Sequence, residues 1–203
     1  MKQLLLNIQP PAEPGFDNFI VGHNQEALHS LHQVISGAAP TRFIYLWGEP
    51  GSGKSHLLLA AQSLGAHIAD DVHTLDEESQ IILFDTYNHI KADADSGVLV
   101  TAGLHAPTQM GLRPDLATRL AWGLVYQLQP LSDDAKADAL RAHARDRGMK
   151  LPEEVIAYCL RYLRRDLPTL MAVLDALDQW SLTTKKPVTV SLLKSMLQLE
   201  SAR

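Results

Sequence analysis

Residues 48–55, Gly-Glu-Pro-Gly-Ser-Gly-Lys-Ser, constrain this chain more than any other stretch. They fill every fixed position of G-x-x-x-x-G-K-[ST], a pattern that carries structural meaning where a strand precedes it and a helix follows. Both conditions are met: residues 42–47 form a short apolar run of strand length, and residues 56–62 have the apolar spacing of a helix. A glycine-rich loop entering a helix presents main-chain N–H groups and the positive end of the helix dipole to phosphate oxygens. Pro50, Gly51, Ser52, Gly53, Lys54, Ser55 and His56 are therefore the predicted nucleotide cradle. In such a cradle Lys54 reaches the β/γ-phosphate region and the Ser55 hydroxyl holds Mg2+.

Strand and helix signals alternate around this loop. Residues 24–35 read as a helix, 66–71 as a short strand ending in two carboxylates, and 77–90 as a helix. Residues 97–101 read as a buried strand, a helix lies around 116–120, and 124–128 form a last strand. This alternation predicts a parallel sheet with right-handed crossovers. Beyond Pro130 only helices are predicted. Ser132, followed by Asp133 and Asp134, caps the first, which closes before Gly148; a second runs from Pro152 through Arg165. Asp166 caps a third helix to about Leu182, and Ser191 a last one through Leu199. The expected organisation is a flexible leader at 1–15, an α/β P-loop core at 16–130 and an all-helical lid at 131–203.

At 203 residues and 46% apolar composition the chain can bury a sizeable core. A formal charge of −5 leaves no basic face for sequence-independent nucleic-acid binding, and the short cluster Arg161, Arg164 and Arg165 sits among acids. The single cysteine, Cys159, lies in an apolar pattern and reads as a core thiol, so no disulfide framework exists. No run approaches the roughly 18 apolar residues of a membrane span, and residues 1–8 lack a signal-peptide layout before Gln-Pro-Pro. A soluble cytoplasmic protein is expected. His29 and His32 share a helix face without further ligands and predict no metal site.

Asp70, at a strand end, is the candidate acid for Mg2+; Asp71 beside it is either a water-polarising group, one methylene shorter than Glu, or a polar strand end. Thr101 either faces the γ-phosphate or simply ends its strand. Arg119, where a helix hands over to the last strand, either projects into a neighbouring molecule's phosphate site or forms an ordinary ion pair.

The order of Phe16-Asp-Asn-Phe19 with Gly22 and Asn24, the P-loop, Asp70-Asp71, residues 84–88 (Phe-Asp-Thr-Tyr-Asn), residues 115–123 (Asp-Leu-Ala-Thr-Arg-Leu-Ala-Trp-Gly) and residues 129–134 resembles the core and lid of the DnaA-related AAA+ family. Within it, the chain looks closest to the Hda-type regulatory inactivators. The resemblance covers nearly the whole chain and lacks the initiator's DNA-binding domain. It implies that Arg119 is an arginine finger acting in trans on ATP held by the DnaA initiator. Lys54 and Ser55 would hold this protein's own nucleotide, ADP or ATP, with Phe19 and Val21 among residues 16–24 near the adenine. The leader residues Gln3, Leu4, Leu6 and Ile8 resemble the short peptide with which such proteins dock on the DNA polymerase sliding clamp, an apolar segment fitting a groove. The implied function is negative regulation of replication initiation by stimulating hydrolysis of DnaA-bound ATP, with head-to-tail self-association open. The alternative is an autonomous P-loop ATPase of replication, clamp-loader-like or helicase-loader-like.

Two features depart from that family pattern. Pro168 stands where a sensor arginine would open the third lid helix, which argues against self-hydrolysis. Only about ten residues separate the P-loop helix from Asp70, too few for a strand and helix that normally intervene, so the sheet is expected to lack one edge strand.

Overall fold

Residues of Phe43–Trp47 (β1) are apolar on both faces of the strand because helices cover both sides of the sheet. Ile44 and Leu46 point toward one layer, packed with Leu31, Leu57, Val100 and Leu128. Tyr45 points toward the other, with Leu83, Tyr87, Ile90, Leu99, Leu116 and Leu120. The computed structural model describes residues 13–163 and 166–201. Gln3, Leu4, Leu6 and Ile8, and also Arg164 and Arg165, lie outside the described residues.

Three further strands pair in parallel with one another or with β1: His67–Ala69 (β2), Leu99–Gly103 (β3) and Leu124–Gln127 (β4), in the order β2-β3-β1-β4. The register sets Tyr45 opposite Thr101 on one side and Val125 on the other. Helices Gln25–Ile35 (α1), Lys54–Ser63 (α2), Glu77–Ala92 (α3) and Pro114–Ala121 (α4) complete the first compact unit, residues 13–130. The four-stranded sheet agrees with the expected lack of an edge strand. β2 occupies the edge with only three residues, a length that limits templating by other chains.

The second unit begins at Leu131 and contains Asp133–Asp146 (α5), Glu153–Tyr162 (α6), Leu167–Thr184 (α7) and Val190–Ser201 (α8) around a core of Leu140, Val155, Ile156, Cys159, Leu174, Leu177 and Leu193. Burial pushes the Cys159 thiol up to about 11, as befits a core sulfur. Ser132 and Asp166 cap as expected, accepting the main-chain N–H of Ala135 (3.1 Å) and Thr169 (3.0 Å). Two boundaries differ from expectation. α6 stops at Tyr162 rather than continuing to Arg165, because Leu163 turns extended (φ −104°, ψ 171°) and packs on the lid core. α8 is capped by Thr189, whose Oγ1 accepts the Leu192 N–H at 3.2 Å, and not by Ser191. Thr189→Ala is thus expected to cost about 1 kcal/mol in denaturant unfolding, and Ser191→Ala a few tenths at most.

Among the described residues no helix is long and apolar enough to cross a membrane.

Candidate functional site

The loop after β1, Asp70 after β2 and the segment after β4 all lie at the carboxyl ends of the parallel strands, where open α/β sheets place their ligands. Gly53 enters α2 with φ +96°, and a Cβ there would sit 2.7 Å from the Phe19 ring. Glycine is needed twice over, for the left-handed turn and for the aromatic ring resting on the loop.

Lys54 is buried, and its Nζ donates to the carbonyls of Gly48 (2.7 Å) and Glu49 (3.0 Å). An ammonium has three N–H donors, so one remains for a phosphate oxygen. Burial lowers the Lys54 pKa below that of an ordinary lysine, opposed by the charges of Asp70 and Asp71. That coupling brings the three residues into one electrostatic neighbourhood. Ser52 Oγ is buried in the same loop without a hydrogen-bond partner among the described residues. An orphaned hydroxyl, a spare ammonium N–H and the amino end of α2 together form a donor set that fits an anionic phosphate chain.

Pro50, Gly51 and Ser55 are exposed around that donor set. The His56 side chain faces away from it: Nε2 hydrogen-bonds the Gly15 carbonyl at 2.9 Å, and its ring lies 5.4 Å from that of Phe19. Only the main-chain N–H of His56 is left for the loop. Phe19 thus lies against the P-loop, while Val21 sits in a turn whose carbonyl accepts the Asn24 N–H (2.9 Å). Asp70 Oδ1 accepts the Asp71 N–H at 2.8 Å, and Asp71 adopts φ +45°, a left-handed conformation that Asp tolerates better than most residues. Among the described residues no group of three His, Cys, Asp or Glu is placed to hold a metal. A Mg2+ here would depend on Ser55, Asp70 and the phosphates themselves.

Thr101 does not face phosphate. β3 continues to Gly103, so Thr101 is a buried mid-strand residue whose hydroxyl is directed at the Ile44 carbonyl (3.5 Å).

Arg119 lies in the last turn of α4, a helix set firmly in place. Gln80 Oε1 accepts the Arg113 N–H (2.9 Å), Pro114 opens the helix, and Leu116 and Leu120 are buried beneath it. Gly123 follows directly; a Cβ there would lie 2.5 Å from the Phe43 carbonyl oxygen, so only glycine allows α4 to pass this closely into β4. Among the described residues Arg119 makes no ion pair. Its guanidinium carbon lies 4.4 Å from the Trp122 ring centroid and 5.9 Å from those of Phe84 and Tyr87. The Arg119 charge opposes the rise that burial imposes on the Tyr87 hydroxyl. Among the described residues the ordinary ion pair, one of the two sequence alternatives for Arg119, is not formed.

Asn24 has a structural role that the pattern did not disclose. It is buried, and its amide pairs with both main-chain groups of Gln129, donating to the carbonyl (2.9 Å) and accepting the N–H (2.7 Å). It ties the start of α1 to the chain leaving β4.

Residues 133–197 match the family model of the Hda lid domain. Domain III of the Thermotoga maritima replication initiation protein DnaA is similar over 92% of this chain and 96% of its own, with a TM-score of 0.73 and 22% identity. Residues 133–197 thus carry an Hda-type lid sequence, and the chain has the fold of DnaA domain III. AMPPCP-bound DnaA from Aquifex aeolicus is similar over 84% of this chain and 66% of its own (TM-score 0.67, 19% identity). A variant of Thermotoga maritima RuvB covers 92% and 72% (TM-score 0.66, 14% identity). The Hda lid match falls within the helical unit, and the likeness of fold to the DnaA and RuvB structures covers residues of both units.

Proposed function

We propose that this Hda-like chain is a negative regulator of replication initiation that completes the ATP site of a DnaA initiator with Arg119. The observation that carries this reading is the Arg119 guanidinium, paired with no carboxylate among the described residues and resting on aromatic faces at the end of α4. A guanidinium so held keeps its full charge and its N–H edges for a phosphate group. Supplied in trans, such an arginine stabilises the charge that develops on the transferred phosphoryl group.

The chain's own P-loop holds an adenine nucleotide, ADP in the resting form, a reading supported by the AMPPCP-bound DnaA of similar fold. Ser52, Lys54, Ser55 and the main chain of residues 51–56 would hold its phosphates, Phe19 and Val21 would flank its base, and Ser55 with Asp70 would hold Mg2+. Bound there, the nucleotide supplies a fixed charge that orders the loop and the residues packed on it.

Gln3, Leu4, Leu6 and Ile8 dock the chain on the sliding clamp, in the cytoplasm, which concentrates Arg119 near DnaA. Replacing Leu4, Leu6 and Ile8 with serine is expected to weaken clamp binding by about 30-fold or more, as loss of an apolar anchor cluster does. Surface plasmon resonance on immobilised clamp measures this. An unchanged affinity would remove the clamp from the account.

The electrostatic grouping of Lys54 with Asp70 and Asp71 favours a second reading, an autonomous ATPase. Asp71 decides between them. Were it a base for the chain's own hydrolysis, Asp71→Asn would abolish ATP turnover by the purified protein; in the regulatory reading there is little turnover to lose.

A further inference from the structure

We propose that Trp122 is the mount that positions the Arg119 guanidinium, and that Lys91, drawn to the same indole, adds a second cation to the surface meeting a partner's nucleotide phosphates. This rests on the reading of Arg119 as a group acting in trans. The indole is the centre of the arrangement: Arg119 Cζ lies 4.4 Å and Lys91 Nζ 4.9 Å from its centroid. Trp122 is 59% exposed, so one large aromatic and two cations reach solvent together where α3 and α4 end.

The geometry follows from local structure. Arg119 and Trp122 are three residues apart, which makes them neighbours on the helix surface. Trp122 donates its main-chain N–H to the Arg119 carbonyl (3.1 Å), closing α4, and is followed by Gly123, where the chain passes against Phe43. The indole's base is thereby fixed while its face stays open. Lys91 arrives from the last turn of α3, whose residues Leu83, Tyr87 and Ile90 are buried in the layer that also holds Leu116 and Leu120.

An arginine held by a carboxylate would be neutralised and would have to break that bond to reach a phosphate. One held on an indole is restrained by cation–π attraction, which leaves its N–H edge unoccupied. The restraint removes rotamer freedom before the encounter, so less is lost at the moment of reaction. Lys91 is a compact, hydrated, exposed charge and acts on approach to a polyphosphate rather than on the chemical step. Trp122 is accordingly a positioning residue.

The test uses the full chain, DNA-loaded clamp and DnaA carrying labelled ATP. Maximal stimulation and half-saturating concentration are measured for Trp122→Ala, Trp122→Phe, Lys91→Gln and Arg119→Ala. Trp122→Ala is expected to lower maximal stimulation about tenfold with half-saturation changed by less than about twofold, and Trp122→Phe, whose ring attracts cations less strongly, to fall between it and the parent. Lys91→Gln should leave the maximum intact and raise half-saturation about threefold at low salt, an effect that fades as ionic strength screens it. Thermal midpoints of the Trp122 variants should stay close to the parent's; if the Ala variant falls, the Phe variant carries the comparison. Full stimulation by Trp122→Ala while Arg119→Ala is inactive overturns the mount alone. A maximum lowered by Lys91→Gln, or a half-saturation that it leaves unchanged, overturns the encounter role alone. Full stimulation by Arg119→Ala overturns the in-trans reading and this inference with it, so the failures are distinct.

Discussion

Arg119→Ala is expected to lower stimulation of DnaA-bound ATP hydrolysis by about 10³- to 10⁵-fold, the range an arginine finger in trans contributes. The fold should survive the change. Arg119 forms no ion pair among the described residues, and α4 is held by Leu116, Leu120, Pro114 and the Gln80 bond to Arg113, none of which involves the guanidinium. Circular dichroism and the thermal midpoint should therefore match the parent while single-turnover hydrolysis collapses. Arg119→Lys should recover only part of the activity, since an ammonium cannot present the planar fork that spans two phosphate oxygens. A parent-like rate for Arg119→Ala would mean that the charge comes from elsewhere.

Lys54→Met is expected to weaken this chain's own nucleotide binding by about 100-fold, the scale of one lost charge-assisted hydrogen bond of 1.5–3 kcal/mol. Isothermal titration with ADP reads this directly. The same lysine gives a pH signature of two opposite signs. Its pKa in the folded chain lies below the 10.5 of an exposed lysine, chiefly through burial. Between that lowered value and 10.5 the unfolded chain binds the proton more tightly, so this residue's contribution to the stability of the chain without nucleotide rises with pH. In the proposed function the nucleotide is held by the ammonium, so affinity is expected to fall over the same interval. Affinity and stability moving in parallel there would contradict the assignment of Lys54 to the phosphates.

The order of elements was legible because each rests on a local signal: the glycine loop between an apolar strand and helix, the carboxylates after β2, the capping residues Ser132 and Asp166. What escaped depended on partners distant in sequence. Thr101 is mid-strand because β3 is held in register along the whole of β1, from Phe43 with Leu99 to Trp47 with Gly103, and nothing within residues 97–101 encodes that length. Asn24 bonds Gln129 across 105 positions, where local reading offered only a helix start. Thr189 and Ser191 are both competent caps, and the choice falls to where the chain turns into α8. The α6 end was overextended because Leu163 continues an apolar helical pattern, while its extended backbone lets it serve the lid core. The aromatic surroundings of Arg119 combine residues from α3 and α4, two helices brought together by packing on one face of the sheet.

The account stands on chemistry performed on a partner's nucleotide. The most direct measurement is release of labelled phosphate from ATP bound to DnaA, with and without this chain, in the presence of ADP and clamp loaded on DNA. Hydrolysis accelerated by the intact chain, lost with Arg119→Ala and lost again when residues 3–8 are removed, is the predicted result. No acceleration by the intact chain, together with sustained ATP turnover of its own that Asp71→Asn abolishes, would contradict it and leave an autonomous ATPase.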